Sequence, residues 1–404
     1  MKETIITPVL LGAELNAYSV ARAFHEKFGS TAYAFGKIKL GFTSNSSFMN
    51  VKIVDNLEDE NVTIPMLVDF AKQHPDKELY LLGCTDEFAE MLIKHRDELN
   101  KYYFSPYISY ELSQQLVSKE AFYKMCDKYG IDYPKTYIFN SNSDLSIFDN
   151  SLPFDYPIII KPSKSATYWK HPFDGMKKVY LAKDSQIAKQ IVKQIVDSGY
   201  DDSIIIQDTI PGDDSKMFVL TCYSDTKGNV RMMNMGHVLL EEHTPKGLGN
   251  HVAVITECHD GLVTKLKDFL NDIKYVGFSN FDIKYDERDG KFKVFEINLR
   301  QGRSNYYVTS SGYNISEYLY KDKHNLFVNE TDICKSSFFW HSVPKGIVYK
   351  YLQDKEIVKK LKELVNNGQS SSTLWYKPDL HNPKRLFFLL AHDYRFYGKY
   401  RKYH

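Results

Sequence analysis

The first hundred residues alternate between short apolar runs and longer amphipathic stretches. Residues 5–11 are apolar and partly β-branched and end at Gly12, and residues 17–28 then carry apolar side chains at helical spacing. The same order returns with an apolar run at 79–82 and an amphipathic stretch at 88–99. Repeated strand and helix units predict a parallel sheet, so residues 1–112 are expected to form an open α/β domain.

The loops that follow the two strands mark the expected ligand edge of this domain. Neither Gly12–Glu14 nor Gly83–Asp86 contains the GxGxxG spacing that lets a dinucleotide pyrophosphate approach the backbone, so a nicotinamide enzyme is disfavoured. Glu14 is placed to hold the amino group of an amino-acid substrate. Capping the following helix explains Glu14 comparably well.

After the first domain the pattern becomes a mixture of helices and antiparallel strands. Ser118 caps a predicted helix that ends at Gly130. Strand pairs with turn-forming residues between them follow around 225–229 and 286–290. Residues 113–330 are therefore expected to form an α+β domain.

The last part of the chain returns to a helical pattern. Residues 355–365 have helical periodicity, and 366–372 are rich in Asn, Gly and Ser, which break regular structure. Residues 331–404 are therefore expected to form a helical cap or extension. The tail from Pro383 mixes apolar, tyrosine and basic residues, which suits weak contact with an anionic nucleotide-sugar or a membrane surface. A terminal helix packed on its own domain is the commoner explanation.

Composition limits the classes of protein that the chain can represent. With 43% hydrophobic and 25% charged residues it has the balance of a folded globular protein, and a formal net charge of +1 gives no general case for nucleic-acid binding. The five cysteines lack a CxxC pair and are expected to be reduced thiols. No uninterrupted run of roughly eighteen apolar residues occurs, so no transmembrane segment is expected and a cytoplasmic location is predicted.

A hairpin predicted over residues 279–299 carries the candidate metal site. Because strand side chains alternate, Glu296 and Asn298 share a face, and Asp282 joins them if an odd loop such as 288–290 places it opposite Glu296. Facing carboxylates repel unless a cation lies between them, and these oxygen ligands suit Mg²⁺. A solvated hairpin with ordinary charges explains this segment about as well.

Two lysines occupy unusual positions in the same part of the chain. Lys161 ends a buried strand, and Lys119 begins a helix, where a cation opposes the helix dipole. Both positions gain from an anionic partner, although exposure at a strand end is the simpler explanation for Lys161. The segment 207–214 follows another apolar strand as a hinge, and its amide and carboxylate side chains suit an adenine edge and ribose hydroxyls.

Taken in chain order, these elements resemble the ATP-grasp superfamily over residues 118 to about 320. The resemblance implies an ATP-grasp fold preceded by an open parallel α/β domain, with ATP and Mg²⁺ as cofactors. It also implies roles for individual residues, namely phosphate contacts by Lys119 and Lys161, adenine contacts by Gln207 and the Ile210 backbone, a ribose contact by Asp214, and metal ligation by Asp282, Glu296 and Asn298.

The segment 163–178 departs from that superfamily. It contains one glycine, Gly175, where the superfamily usually has a small, glycine-rich flap. Its aromatic residues, among them Tyr168 and Trp169, predict a loop that becomes ordered only when it closes. Ser163 remains a candidate donor to a phosphate.

Within the superfamily, residues 10–22, 83–86 and 296–303 are similar to the D-aspartate ligases of Gram-positive cell-wall synthesis. This similarity implies that ATP phosphorylates the β-carboxylate of D-aspartate and that the lysine ε-amine of a UDP-MurNAc-pentapeptide captures it, with release of ADP and phosphate. Arg300 and Lys161 are expected to act in the chemistry. Arg303 and His243 are expected to face the substrate, with a surface salt bridge and a solvated strand end as their ordinary explanations.

Three other functions remain open from the sequence. A ligase for another amino acid or peptide would use the same residues. A non-catalytic ATP-binding module would explain the irregular flap, although the intact Asp, Glu and Asn trio argues against it. A kinase on the same scaffold would need a catalytic base that the sequence does not reveal.

Overall fold

The computed structural model describes residues 5–141, 143–244 and 247–404, except for the side chains of residues 150, 165 and 166. Its strands are β1 (Ile5–Leu11), β2 (Ala32–Gly36), β3 (Met49–Ile53), β4 (Lys77–Gly83), β5 (Thr136–Phe139), β6 (Ile158–Pro162), β7 (Tyr180–Ala182), β8 (Ile204–Asp208), β9 (Met217–Ser224), β10 (Val230–Glu242), β11 (Asn250–Thr256), β12 (Gly277–Asp286), β13 (Lys291–Asn298), β14 (Asp332–Ile333), β15 (Phe339–His341) and β16 (Ser370–Ser372).

The helices alternate with these strands in the first part of the chain and cluster towards its end. They are α1 (Leu15–Phe28), α2 (Glu60–Lys72), α3 (Asp86–Lys94), α4 (Arg96–Leu99), α5 (Tyr110–Val117), α6 (Lys119–Tyr129), α7 (Ile147–Asn150), α8 (Ser165–Tyr168), α9 (Ser185–Asp197), α10 (Asp260–Asp272), α11 (Tyr306–Ser310), α12 (Ile315–Lys323), α13 (Lys345–Tyr351), α14 (Lys355–Asn366) and α15 (Pro383–Tyr403). Within the described ranges, no helix is both long and apolar enough to cross a membrane.

The chain divides into two compact units that are not continuous in sequence. The first unit comprises Met1–Ser113, Asp213–Asp282 and Ile297–His404, and the second comprises Gln114–Gly212 and Ile283–Glu296. This grouping differs from the three consecutive segments expected from the sequence. The physical reason is that strands from the middle and from the end of the chain share one sheet.

The first sheet has the order β3-β2-β1-β4 and is parallel throughout, which confirms the predicted open α/β arrangement. Leu11 and Gly83 are direct neighbours at the carboxyl ends of β1 and β4. The loops that begin at Gly12 and Cys84 therefore leave the sheet at the same edge. The helix expected over 88–99 is interrupted at His95, where α3 ends and α4 begins.

The largest sheet joins residues from the middle and the end of the chain. Its order is β13-β12-β9-β10-β11-β15-β16, with β14 paired to β10. Residues 331–404, expected to form a helical cap or extension, also supply strands to this sheet, because β15 pairs with β11 and the serine run of β16 pairs in parallel with β15. Serine can occupy this strand since a sheet ladder is made by the backbone, whatever the side chain.

The second unit contains a separate sheet with the order β5-β8-β6-β7. Apolar residues of these strands pack with α9 around a core that includes Ile160, Ile191 and Tyr168. In this sheet Lys161 of β6 lies opposite Ile205 of β8. Pairing with β8 thus fixes the backbone position of Lys161.

The last helix, α15, packs one face onto the first unit. Arg385, Leu389, His392, Phe396 and Tyr400 are buried and recur at the three- and four-residue spacing of a single helical face. The prediction of a terminal helix that packs on its own domain is thus confirmed for this face.

A buried ion pair lies at the start of that helix. The side chains of Asp379 and Arg385 are fully buried, with Arg385 Nε 3.3 Å from Asp379 Oδ2. Asp379 also accepts hydrogen bonds from the Tyr18 hydroxyl at 2.9 Å and from Ser47 N at 2.6 Å. Arg385 Nη1 donates to the carbonyl of Gly41 at 2.7 Å. These bonds tie the C-terminal segment to α1 and to the loop after β2.

Candidate active site

The two predicted lysines belong to the second unit. Each lies on a helix or a strand that fixes its backbone position. Ser118 caps α6 by accepting a hydrogen bond from Ala121 N, so Lys119 occupies the first position of that helix. Lys161 lies on β6, and its Nζ donates to Gln207 Oε1 at 3.0 Å. Both ammonium groups are therefore held by rigid secondary structure and not by loops.

Gln207 is the group that orients Lys161. Its side chain is buried, and its Nε2 donates to the Tyr123 hydroxyl and to Thr136 Oγ1, both at 2.9 Å. Both amide hydrogens and the carbonyl oxygen are therefore bonded within the protein. The adenine contact expected of Gln207 stays a prediction, whereas the structure shows its side chain supporting a lysine.

The electrostatic surroundings of Lys161 disfavour its charge. Burial, followed by the positive charge of Lys119, lowers the pKa of Lys161 to about 7, while Glu296 acts in the opposite direction. Near pH 7, and without a bound ligand, the charged and neutral forms of the Lys161 side chain are therefore both populated. A nearby polyanion would restore the charged form.

Glu296 of β13 lies against Lys119. The distance from Lys119 Nζ to Glu296 Oε2 is 2.5 Å, and the positive charge of Lys119 is the main reason that the pKa of Glu296 is lowered. The Glu296 side chain is nevertheless 42% exposed. An ionised, accessible carboxylate beside two cations can accept a further ligand such as a metal ion.

The other two predicted metal ligands lie together in the first unit. Asn298 Nδ2 donates to Asp282 Oδ2 at 3.0 Å and is 3.3 Å from the carbonyl oxygen of Asn280. The Asp282 and Asn298 side chains therefore lie on one face, and the expected position of Asp282 opposite Glu296 stays a prediction. Across the described parts of the chain, no donor reaches Asn298 Oδ1, so its carbonyl oxygen remains open to a ligand.

The loop of the hairpin that carries the candidate metal ligands differs from the expected one. Strand β12 ends at Asp286 and β13 begins at Lys291, so four residues lie between the strands, whereas an odd number was expected to place Asp282 opposite Glu296. Gly290 has a φ of 68° and donates its N–H to the Asp286 carbonyl at 2.9 Å, so the predicted left-handed glycine is confirmed. The Asp286 carboxylate binds the Arg288 guanidinium, which fixes the tip of the hairpin.

The hinge after β8 is held by cations that the sequence analysis did not single out. Lys284 Nζ donates to the carbonyls of Ile210 at 3.0 Å and Gly212 at 2.8 Å, and Arg288 forms a two-point contact with Asp208. The Ile210 carbonyl is thus bonded to a lysine, and its adenine contact stays a prediction. The position of Lys284, two residues beyond Asp282 on one strand, was the available sequence signal.

Arg300 and Arg303 follow the metal hairpin and lie in the first unit. Arg300 Nε is 2.7 Å from Asp86 Oδ1, at the carboxyl edge of the parallel sheet. Burial alone would lower the pKa of Arg300, but the carboxylates of Asp86 and Asp282 outweigh burial and raise it. For Arg303 burial prevails and lowers the pKa, although Glu242 and Glu14 oppose it. Two guanidinium groups therefore lie near acidic residues of a single unit.

Glu14 lies at the start of α1 and is exposed. It occupies the N-cap position, but its carboxylate makes no capping hydrogen bond. The helix-cap explanation is therefore not supported. The influence of Glu14 on the pKa of Arg303 places its charge near that guanidinium.

Asp214 and His243 contact each other in the first unit. His243 Nε2 is 2.7 Å from Asp214 Oδ2, which also accepts the backbone N–H of Glu241 at 2.9 Å. The His243 ring stacks on His404 at 4.4 Å between ring centres. The ribose contact of Asp214 and the substrate contact of His243 stay predictions, and each side chain already has protein partners.

The flap segment of the second unit is anchored more firmly than its sequence indicated. Tyr168 is fully buried, and its hydroxyl is 2.6 Å from that of Tyr180 and 3.0 Å from the Lys177 carbonyl. Trp169 is 53% exposed. The expectation of a loop that is ordered only on closure is therefore wrong for Tyr168, because its ring fills the core of this unit. Ser163 lies at the end of the preceding strand, with its hydroxyl 3.3 Å from that of Tyr200.

Comparisons with known proteins give one strong sequence similarity and several structural ones. No family model matches the chain. A D-aspartate ligase of Enterococcus faecium (strain Aus0004) is 35% identical over 405 residues, which cover 98% of this chain and 96% of that protein.

Solved structures resemble the chain at much lower sequence identity. An L-amino acid ligase from Bacillus licheniformis matches with a TM-score of 0.51 and 15% identity over 79% of this chain and 71% of its own. A phosphoribosylamine–glycine ligase from Thermotoga maritima matches with a TM-score of 0.57 and 14% identity over 82% and 78%. The biotin carboxylase domain of a Hydrogenobacter thermophilus 2-oxoglutarate carboxylase was solved with MgADP and bicarbonate. It matches with a TM-score of 0.58 and 13% identity over 80% of this chain and 71% of its own.

Proposed function

The chain belongs to the D-aspartate ligase family of ATP-grasp carboxylate-amine ligases, and on that premise we propose that it uses ATP to join the β-carboxylate of D-aspartate to an amine. The ATP-grasp fold expected from the order of lysines, hinge and hairpin is confirmed by the solved ligases that share its architecture. The substrates, the acceptor and the residue roles below are part of the proposal.

The observation that carries the proposal is the cluster of Lys119, Lys161 and Glu296. Burial and the neighbouring Lys119 ammonium group together lower the pKa of Lys161 to about 7. Such an arrangement is unfavourable in an empty protein and becomes favourable when a polyphosphate enters. We assign both lysines, together with Ser163, to the phosphates of ATP.

Asp282, Glu296 and Asn298 are the residues that would hold Mg²⁺. All three offer the oxygen ligands that this ion prefers, Asn298 through a carbonyl oxygen that the structure leaves open and Glu296 through an exposed, ionised carboxylate. When bound, the ion supplies positive charge that neutralises phosphate oxygens during transfer. The donor set therefore fits the proposed cofactor.

The proposed reaction has two steps. In the first, a β-carboxylate oxygen of D-aspartate attacks the γ-phosphorus of ATP, the bond to the ADP oxygen breaks, and an acyl phosphate forms. In the second, the amine attacks the acyl carbon, phosphate leaves with the bonding electron pair, and the amine loses a proton. Lys161 stabilises the negative charge of the phosphoryl group, and Arg300 stabilises the oxyanion of the second step.

Three side chains of the first unit are proposed to bind the amino-acid substrate. Arg303 is partly buried and lies near the charges of Glu242 and Glu14, which suits a guanidinium that holds the α-carboxylate. Glu14 has no helix-capping bond and is available for the α-ammonium group. His243 is proposed to contact the substrate from the end of β10, and Gln207, Ile210 and Asp214 to bind the adenosine part of ATP.

The acceptor is proposed from the family similarity. We propose the lysine ε-amine of a UDP-MurNAc-pentapeptide, which would place the reaction in peptidoglycan synthesis. The need for ATP and the free thiols of all five cysteines suit the cytoplasm, which is the proposed location.

The proposed function is tested by measuring which substrates are needed for ADP release. ADP should form in the presence of Mg²⁺, D-aspartate and an amine acceptor, with hydroxylamine as a general trap for the acyl phosphate. L-Aspartate and D-alanine serve as matched carboxylates, and each should give less than about a tenth of the rate, because a polar site rejects a substrate that leaves its charges unpaired. Product mass identifies the amide.

Each alternative function has its own signature in the same assay. Equal rates with another amino acid would replace D-aspartate as the substrate. ADP release that needs a hydroxyl compound and no amine would indicate a kinase. ATP binding without any turnover would indicate a non-catalytic module and would overturn the proposal.

The lowered pKa of Lys161 predicts a pH-dependent affinity for ATP. Above about pH 7 the free lysine is neutral, whereas ATP binds best to the charged form, so binding must take up a proton. The affinity should therefore fall as pH rises, by up to about tenfold for each pH unit above 7. Isothermal titration calorimetry in buffers of different protonation enthalpy measures the proton directly.

The control for this measurement is Lys164→Met. Lys164 is a neighbouring, exposed lysine whose Nζ pairs with Asp202 at 2.8 Å. The Lys164→Met variant should leave both the proton uptake and the pH dependence of the affinity unchanged. The Lys161→Arg variant should abolish both, because arginine stays charged. An affinity for ATP that does not vary above pH 7 in the wild-type protein would contradict the prediction.

A further inference from the structure

Helix α15 presents two different faces. The face formed by Arg385, Leu389, His392, Phe396 and Tyr400 is buried against the first unit. The opposite face is exposed and carries large apolar and aromatic side chains. A helix that has one packed face normally exposes polar residues on the other, so this second face needs a separate explanation.

The exposed side chains form a continuous stripe. Phe387 is 74% exposed, Leu390 55%, Tyr394 81% and Tyr397 46%. At about 100° per residue, these four positions fall within an arc of roughly 80° that is centred on the side away from the core. They are therefore one surface and not four unrelated residues.

Positive charges accompany the stripe. Lys384, Arg395 and Lys402 are exposed and lie about 60–80° from Phe387 around the helix, and Arg401 follows the stripe in the last turn. Asp393 is the acidic residue of this helix, and its carboxylate accepts a hydrogen bond from Trp375 Nε1 at 2.9 Å. The exposed face thus combines apolar and aromatic residues with four cations.

A neighbouring tryptophan extends the aromatic surface, and one tyrosine of the stripe also lies close to α13. Trp375 is 37% exposed, and its indole N–H donates a hydrogen bond to Asp393. Tyr397 lies so close to Gly346 of α13 that a Cβ added there would be 2.8 Å from the tyrosine hydroxyl. Tyrosine and tryptophan carry an apolar ring and a polar edge, which is the combination favoured at the boundary between lipid and water.

We propose that the exposed face of α15, defined by Phe387, Leu390, Tyr394 and Tyr397 with their flanking cations, docks the protein onto an anionic lipid bilayer. The apolar stripe enters the interface, and the lysines and arginines meet the lipid headgroups, so the helix lies in the plane of the membrane surface. The packed face keeps the helix attached to the protein.

Charge favours a bilayer over a second copy of this chain as the partner. In a two-fold dimer built on this face, the stripe and its cations would meet the same stripe and the same cations. Like charges placed against each other oppose such a pairing. An anionic lipid surface is complementary to all four cations at once.

Vesicle binding tests the proposal on the full-length protein. Large vesicles of pure phosphatidylcholine and of phosphatidylcholine with about one third phosphatidylglycerol are mixed with the protein, and bound protein is measured by flotation. Binding to the anionic vesicles should be at least tenfold stronger than to the neutral ones and should weaken as salt rises. The double variant Phe387→Ser/Tyr394→Ser should bind at least tenfold less, with unchanged thermal stability and unchanged ADP release.

A matched variant removes exposed apolar residues elsewhere. Leu326 is 56% and Val328 73% exposed, so Leu326→Ser/Val328→Ser should retain wild-type vesicle binding. Charge reversal by Lys384→Glu/Lys402→Glu should abolish the preference for anionic lipid. The proposal is overturned by equal binding to neutral vesicles, by retention of binding in the Phe387/Tyr394 variant, or by light scattering that shows a dimer which this variant converts to a monomer.

Discussion

Replacing Glu296 by glutamine or alanine should lower the rate of D-aspartate-dependent ADP release at least about a thousandfold, which corresponds to roughly 4 kcal/mol of transition-state stabilisation. Glutamine keeps the shape of the side chain but removes the charge that would hold Mg²⁺ and that faces Lys119 at 2.5 Å. The fold should persist, because the Glu296 side chain is 42% exposed and its partner, the Lys119 ammonium group, belongs to a side chain that keeps 13% exposure. Initial rates and circular dichroism melting curves measure the two effects separately.

The control for Glu296 is a carboxylate with a similar ion pair outside the proposed site. Glu317 lies 2.6 Å from Lys27 and 3.0 Å from Lys321, and its side chain is 30% exposed. Glu317→Gln should leave the rate within about twofold of wild type, since surface ion pairs contribute little. Wild-type activity in the Glu296 variants would reject the metal assignment.

The Asp379→Ala substitution should give the largest loss of stability. It removes one partner of a fully buried ion pair and leaves the Arg385 charge without its carboxylate, which typically costs about 3–5 kcal/mol of unfolding free energy. It also removes the acceptor for the Tyr18 hydroxyl and for Ser47 N. The melting temperature should fall by about 4–8 °C, measured by calorimetry.

A double substitution distinguishes the buried charge from a simple cavity. Asp379→Leu/Arg385→Met removes both charges, and buried pairs replaced by apolar residues often lose little stability, so this variant should melt above Asp379→Ala. An exposed pair supplies the control, since Glu120→Ala breaks a contact with Lys124 at 2.7 Å and should change stability by less than about 0.5 kcal/mol. A double variant that melts below Asp379→Ala would contradict the argument.

Much of the fold could be predicted because local patterns and global structure agree. The predicted strand at 5–11 coincides with β1, and the predicted helix after Ser118 coincides with α6. In both cases the apolar spacing and a capping or turn residue indicate the same boundary. The serine run of β16 was misread, because its strand depends on a backbone partner, β15, that lies about thirty residues earlier and leaves no local signature.

The sequence indicated which residues form the candidate site better than it indicated the hydrogen bonds between them. Lys119 and Lys161 were singled out because cations at a helix start and at a strand end are unusual, and Glu296 because it shares a strand face with Asn298. The sequence did not predict that Gln207, Tyr123 and Thr136 support Lys161. These residues come from separate elements, and only the folded structure brings them together. Arg288 and Lys284 were missed for the same reason.

The position of β15 beside β11 has a consequence for how the protein is made. β11 ends at Thr256 and its partner begins at Phe339, so the ribosome adds 82 residues between them. At typical synthesis rates of about 5–20 residues per second, the nascent chain carries the free edge of β11 for roughly 4–16 s. During that interval the backbone groups of Val252 to Thr256 can pair with another chain, so translation speed across residues 257–339 sets the period of greatest aggregation risk.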